Sequence, residues 1–333
     1  MSSQFSVGID VSALTLAVAL RPPGGSPTAY EFENDHRGHC ALVKKLTKAG
    51  RSVRVCVEAT GRYSLDLAMA LHAAARVEVM VANPASVHAF AKALMKRSKT
   101  DPDDALVLLE FAERMPFVAW SPPPKSHMEL REVVRRVQSL TAIRSAELNR
   151  LEAATASEEA SRMVVEDLRD SVAVLTGRIE RMTQVALGVA RAEPTLRRRL
   201  ELLLSIKGVA ETSAIRILGE LATLPDDMTA KQWVAHAGLA PRQRQSGTSV
   251  RGKARISKVG NKHLRTSLFY PAMVASTHEA TVKAFKDELV ARGKPPLVAV
   301  TAVMRKMLHC IHGMWATDTP WDPDRFRGPQ KIA

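Results

Sequence analysis

Alternation of apolar and polar positions opens the chain. The segments "FSVGIDV" at 5–11, "LTLAVALR" at 14–21 and "TAYEFEN" at 28–34 predict three short strands, separated by Ser-Ala and by the turn-forming "PPGGSP". This is an antiparallel start. From about residue 36 the pattern changes. A helix near 36–49 precedes the strand "SVRVCVEA", a helix over about 62–75 precedes "VEVMVAN", and helices follow over about 85–112. Strands alternating with helices imply βαβ units and a parallel portion of sheet.

"WSPPPK" at 120–125 breaks the pattern and reads as a linker. Beyond it, residues 127–190 are nearly free of Gly and Pro. Leu168, Val172, Leu175, Ile179, Met182, Ala186 and Val189 step by four and three and so share one seam of a long helix. Leu130, Val133, Val137 and Leu140 repeat the spacing on an earlier helix. Two such helices form an antiparallel hairpin, a dimer interface, or a seam packed within one chain. From 198 the pattern is compactly helical, with a Gly-containing turn at Lys207-Gly208 and a second helix that starts near Thr212 and Ser213. Helix starts of this kind can bring backbone N–H groups to a phosphate. "GLAP" at 238–241 then interrupts the helices, and a basic loop is expected to lead into a helix beginning near Lys258.

Composition changes this picture in several ways. The 333 residues, 46% hydrophobic and 25% charged, exclude wholesale disorder and allow two domains. No apolar run approaches the roughly 18 to 20 residues of a membrane span and no secretory leader is visible, so a cytoplasmic location is expected. Cys40, Cys56 and Cys310 have neither disulfide nor zinc spacing and read as reduced, mostly buried thiols. The net charge of +14 favours a polyanionic partner. Its distribution is more telling, because no acid occurs between Asp227 and Glu279.

The N-terminal part carries the opposite chemistry. Asp10 closes one apolar strand, Glu58 ends another, and Asp101 and Asp104 lie three apart in "KTDPDDALVL", on one face of a helix. Pro102 marks a helix start with Asp101 as its N-cap, and Asp103, pointing roughly 100° away from Asp104 on such a helix, reads as solvated. Each acid alone reads as a cap or turn residue. Three antiparallel strands followed by βαβαβα match the element order of a ribonuclease H-like domain, in which Asp10 and Glu58 come from neighbouring strand ends and the last helix brings Asp101 and Asp104 over them. Four hard oxygen donors suit Mg²⁺ or Mn²⁺, and two such ions serve phosphodiester chemistry.

"RQRQSGTSVRGKARISKVGNKHLR" at 242–265 supplies the basic counterpart. Arg242, Arg244, Arg251, Lys253, Arg255, Lys258, Lys262 and Arg265 can neutralise several phosphates. Trp233 and Phe269-Tyr270 flank this run rather than interleave with it, so backbone contact to a duplex or hybrid is expected over base stacking. A Ser-Gly-Thr-Ser turn sits inside it. Ser246, Thr248, Ser249 and Ser257 all remain open as nucleophiles on chemistry alone.

At these residues the chain resembles the DEDD-type transposases of insertion-sequence family 110, related to the Piv-type DNA invertases. The resemblance spans nearly the whole chain. It rests on "GID" at 8–10, "VEATGRYS" at 57–64, "NPASVHAFAKA" at 83–93, "KTDPDDA" at 99–105, "GLAPRQRQSGTSVRGKARISKVGNKHLR" at 238–265 and "PAMVA" at 271–275. Where relatives often carry Pro-Gly in the helical hairpin, this chain has Lys207-Gly208. The resemblance implies three regions: a RuvC-like (ribonuclease H-like) α/β domain over 1–118, a linker and coiled-coil insertion over 119–195 for dimerisation or RNA contact, and a mostly helical transposase domain over 196–333. It implies Asp10, Glu58, Asp101 and Asp104 as catalytic metal ligands for Mg²⁺ or Mn²⁺, and Ser246 as a nucleophile forming a phosphoserine–DNA linkage. It further implies guidance by a noncoding bridge RNA that pairs with donor and target DNA. The implied assembly is a dimer or a tetrameric synaptic complex in the bacterial cytoplasm, with an active site composed between protomers.

Two other functions fit the residues without the serine mechanism. A RuvC-like resolvase or nuclease would use water as the nucleophile and leave free DNA ends. A non-catalytic nucleic-acid-binding protein would use the acids only as caps and would show no metal dependence.

Overall fold

The structure, a computed structural model, describes residues 4–59, 61–95, 100–156, 158–246 and 250–326, with the side chains of 62 and 243–254 outside the description. The chain forms two compact units that meet at Pro122 and Pro123, inside the proline-rich break.

In the first unit, β1 (Phe5–Val11), β2 (Thr15–Arg21) and β3 (Thr28–Glu33) form an antiparallel meander. Then come α1 (His36–Leu46), β4 (Val53–Glu58), α2 (Arg62–His72), β5 (Val77–Ala82), α3 (Pro84–Ala93) and α4 (Asp101–Arg114). The mixed five-stranded sheet has the order β3-β2-β1-β4-β5, with β4 parallel to both β1 and β5. Alternation along the strands fills both faces. Val7, Ile9, Val55 and Val57 pack with Leu42, Leu46, Leu67 and Leu71 of α1 and α2, while Cys56 and Met80 pack with Val107, Leu108 and Phe111 of α4.

Gly8 turns toward α4. A Cβ there would stand 2.1 Å from the Ala105 carbonyl oxygen and 2.2 Å from the Leu109 nitrogen, so only glycine lets the helix backbone lie this close to the strand.

The second unit begins with α5 (Lys125–Thr155) and α6 (Arg162–Ala192), each 31 residues long. Val137 and Leu140 pack with Leu175, Ile179 and Met182, so the two seams close on each other as an antiparallel hairpin within one chain. There follow α7 (Pro194–Leu204), α8 (Glu211–Leu221), α9 (Ala230–His236), β6 (Pro241–Ser246), β7 (Val250–Ile256), α10 (Lys262–His278), α11 (Ala280–Ala291), α12 (Pro296–Thr317) and the short α13 (Pro323–Phe326). One core joins Leu130 and Val134 of α5 with α6 through α13. Among the described residues, no helix is long and apolar enough to cross a membrane.

Several sequence expectations change. The basic segment is not a loop: β6 and β7 pair as an antiparallel hairpin, with a bulge between Arg242 and Arg244. The following helix starts at Lys262, not near Lys258, because Lys258 and Gly260 take positive φ (55° and 122°) and Asn261 caps the first turn. A side chain at Gly260 would meet the His236 carbonyl oxygen at 2.2 Å. Asp101 is the first residue of α4 rather than its cap. Thr100 is the N-cap, accepting from the Asp103 backbone N–H, and its hydroxyl donates to Asp103 Oδ2 at 2.7 Å. Asp103 is therefore part of the cap instead of merely solvated. Cys40 is exposed, whereas Cys56 is buried and Cys310 partly so; all three thiols are free.

Candidate active site and nucleic-acid interface

The end of the first sheet gathers the acids. Ile9 of β1 pairs with Val57 of β4, so Asp10 and Glu58 each stand one residue further along adjacent parallel strands. Asp10 lies opposite Ala17 and Glu58 opposite Ala82, which leaves small neighbours on either side. Both acids are half-buried. Helix α4, pressed onto β1 at Gly8, carries Asp104 immediately before its contact residue Ala105. Asp104 is half-buried, and Asp101, one turn earlier, is exposed and lines an open groove of about 570 Å³ with Thr15, Ala17, Tyr30 and Glu31.

The turn after Asp10 has its own supports, which the sequence reading missed. Ser12 Oγ accepts from the backbone N–H of Thr15 at 2.9 Å, and Asn34 Nδ2 donates to the Ser12 carbonyl at 2.7 Å. His39 Nε2 lies 2.9 Å from Asn34 Oδ1, and burial pushes this histidine below its ordinary range, toward the neutral form. The signal was present as Ser and Asn flanking strand ends, but only the tertiary fold joins residues 12, 34 and 39. Beside Glu58, burial and the Glu58 charge push the Cys56 thiol up to about 12, so this cysteine stays protonated.

The donor chemistry fits a hard divalent cation. The arrangement stops short of a closed site: among the described residues, no group of three or more His, Cys, Asp or Glu side chains is placed to hold a metal ion. The fold thus brings Asp10 and Glu58 to neighbouring strand ends and lays the helix of Asp101 and Asp104 against the same strand, without drawing the four into one ligand sphere. Residues 96–99, which lead into that helix, lie outside the described residues.

On the second unit, Ser246 is the last residue of β6, paired in the backbone with Val250; its side chain lies outside the description. Thr248 and Ser249 lie outside the described residues, as do the side chains of Arg244, Arg251 and Lys253. Of the basic residues that are described, Arg242 and Arg255 face each other directly across the hairpin, and both are exposed. Like charges directly opposite destabilise a strand pair unless an anion lies over them. Lys258 and Lys262 are also exposed. Arg265 differs, because its Nη1 donates to the Ala237 carbonyl at 2.8 Å and closes the end of α9.

The root of this hairpin is tied to α5 and α8 through a buried carboxylate. Glu220, 1% exposed, receives Arg135 Nε and Nη2, each at 2.9 Å, and Asn261 Nδ2 at 2.7 Å. Burial alone would raise Glu220, but the hydrogen bonds from Arg135 and Asn261 outweigh it and hold the carboxyl below its usual range. Nothing in the local sequence marks this pair, since 85 residues separate its members.

Comparison with known proteins gives this geometry a context. Residues 7–156 match the DEDD-type IS110 family model described as "Transposase", and residues 200–287 match the model described as "Transposase IS116/IS110/IS902 family". The pilin gene-inverting proteins of Moraxella bovis and Moraxella lacunata are each 27% identical over 274 residues, covering 81% of this chain and 82% of theirs. A probable family 20 transposase of Pseudomonas aeruginosa is 24% identical over 272 residues, 70% of this chain and 77% of its own. The chain is therefore an enzyme of DNA recombination. Within that class it belongs to the IS110-type transposases, the group related to the pilin gene inverters.

Proposed function

We propose that this transposase cuts and rejoins DNA through its own serine, with a structured noncoding RNA choosing the donor and target sites. Asp10, Glu58, Asp101 and Asp104, on a RuvC-like domain, hold Mg²⁺ or Mn²⁺, which when bound lowers the pKa of an attacking hydroxyl and stabilises the leaving oxygen. The observation that carries the metal-assisted part is the pairing of β1 with β4, which sets Asp10 and Glu58 at adjacent strand ends, together with the contact at Gly8 that lays α4 over β1. Carboxylates at neighbouring strand ends and on the helix beside them are hard oxygen donors of the kind a divalent cation would take.

Ser246 attacks a phosphodiester phosphorus. The serine O–P bond forms as the P–O bond to the departing DNA hydroxyl breaks, and that hydroxyl takes up the proton the serine gives up. The bond energy is kept in the phosphoserine linkage, so the strand can be handed to a new hydroxyl without ATP. Arg242, Arg244, Arg251, Lys253, Arg255, Lys258 and Lys262 bind phosphates around this hairpin, and Arg265 supports its base. The exposed like-charge pair Arg242 and Arg255 supports that role. The long helical hairpin, flanked by the proline-rich linker, assembles protomers, as a dimer and then a tetramer, on the nucleic acid in the bacterial cytoplasm.

The test combines full-length protein, Mg²⁺, the noncoding RNA flanking its gene, and labelled donor and target DNA, with wild type beside Ser246→Ala on a denaturing gel. A protein–DNA adduct that requires Ser246, metal and RNA is the expected result. Free-ended cuts made equally by both proteins would replace the serine with water as nucleophile. Salt-sensitive binding with no cleavage, indifferent to metal, would leave only a nucleic-acid-binding protein.

A further inference from the structure

Helices α5 and α8 run side by side, and polar residues bridge them at successive levels. At the first level Arg131 Nη1 donates to Thr223 Oγ1 at 3.1 Å. At the second, Arg135 meets Glu220 through two hydrogen bonds, so the buried charge is neutralised. At the third the pattern fails. Arg216 Nη2 donates to Thr141 Oγ1 at 2.9 Å, a neutral acceptor whose own proton goes to the Val137 carbonyl. Arg144 stands near enough for its charge to bear on Arg216.

Both Arg144 Nε and Arg216 Nε are buried without a hydrogen-bond partner. Among the described residues three indole N–H groups share that condition, but they are neutral. No ion pair to either arginine occurs among the described residues, and the charge acting on Arg216 is that of Arg144. Burial and this neighbour disfavour the charged form of Arg216, yet an arginine does not give up its proton in a protein. Two guanidiniums held together, partly desolvated and with unspent donors, are unfavourable in isolation and favourable around an anion. A guanidinium fork matches the oxygens of a phosphate, and both residues remain partly exposed to receive one.

We propose that Arg144 and Arg216, with Thr141 fixing the Arg216 fork, form a phosphate-binding site at the seam of α5 and α8 that grips a backbone phosphate of bound nucleic acid. The site lies apart in sequence from the basic hairpin. It requires neither the serine mechanism nor RNA guidance, only that the recombinase hold nucleic acid, so it stands or falls separately from the proposed chemistry. Because DNA and RNA share the phosphodiester, the probe identifies the source.

Full-length wild type, Arg144→Gln, Arg216→Gln and the double variant are titrated by fluorescence anisotropy with a labelled 40-base-pair duplex and, separately, with a labelled structured RNA, at several salt concentrations. Each single variant is expected to weaken binding to at least one probe about tenfold, and to lower the slope of log affinity against log salt by roughly one. Loss on the duplex alone assigns the phosphate to DNA; loss on the RNA alone assigns it to RNA. Melting without nucleic acid separates a structural role. The variants should melt at or above wild type, and sulfate should stabilise wild type but not the double variant. Unchanged affinity and salt slope on both probes would overturn the site, as would variants that melt clearly below wild type while binding normally.

Discussion

Glu220 lies fully buried in α8 with two hydrogen bonds from Arg135 and one from Asn261, whereas Asp10, Glu58 and Asp104 stand half-buried and Asp101 exposed at one end of a sheet. The first region is a charge whose answers lie inside the chain. It joins α5, α8 and the cap of α10, and its loss would be felt as loss of fold. In the second region the bare Cα of Gly8 lets the backbone of α4 lie against β1, so the helix of Asp101 and Asp104 runs beside the strand that carries Asp10 near its end. On the proposed function, the contrast separates charge used to hold the molecule from charge kept for a ligand, and the proposed phosphate site at Arg144 and Arg216 falls on the ligand side.

The sharpest way to break this division is to remove charge from each region in turn. Asp10→Asn or Glu58→Gln is expected to reduce strand cleavage by about 10³-fold or more while leaving the thermal midpoint within a few degrees of wild type. Chelation of divalent metal should abolish cleavage in the same assay. If either variant instead unfolds the protein with activity falling only in proportion, these acids belong with Glu220 as structural charges.

Next in size is Gly8→Val. The added Cβ would meet backbone atoms of α4 at 2.1 and 2.2 Å, and neither can swing away as a side chain would. Helix α4 must lift from β1, at a cost of about 2–3 kcal/mol, read as a lower urea midpoint. Because Asp101 and Asp104 travel with the helix, cleavage should fall well beyond the loss of folded protein. A variant with a wild-type urea midpoint would show that the contact between α4 and β1 is looser than described.

The two regions also differ in how far they were legible beforehand. All five strands of the first unit appear in the sequence because each alternates or runs apolar between turn residues, and the acids at their ends stand out against that background. Thr100 against Asp101 as the cap was not decidable, since both are cap-forming residues in adjacent positions. The β6–β7 hairpin was missed because "PRQRQS" and "VRGKARI" carry no alternation of apolar residues, so no hydrophobic period marks them as strands. Arg135 with Glu220, and Arg144 with Arg216, were invisible for another reason: each pair is brought together only by the packing of α5 on α8.

Within the buried region, Glu220→Ala leaves the Asn261 amide short of an acceptor and Arg135 without its counter-charge. Arg135 is 44% exposed and can turn to water, so the expected loss is about 2 kcal/mol, less than for a wholly buried pair. Pairing Glu220→Leu with Arg135→Met should recover part of it. A double variant as unstable as the sum of the two singles would mean that the ion pair contributes nothing beyond its separate members.

The smallest expected effect is on pH dependence, and its sign follows from the same network. His236 Nε2 lies 3.3 Å from Asn261 Nδ2, which can donate there only if that nitrogen carries no proton. Burial holds His236 below its ordinary value, Arg135 and Arg131 push the same way, and the Glu220 charge opposes them. His39, His263 and His309 are depressed by burial as well. A histidine depressed in the folded state binds fewer protons than in the unfolded chain, so stability falls as pH drops from about 6.5 through the folded value and then levels. Glu220 adds a second stage. Held low by Arg135 and Asn261, it contributes fully above about pH 4.3 and less as pH falls through its folded value. Thermal melting between pH 7 and 3 should therefore decline in two steps, and His236→Asn should flatten the upper step while leaving the lower one. An unchanged upper step would assign it to His39, His263 and His309, and would remove His236 from the set of groups that the fold keeps neutral.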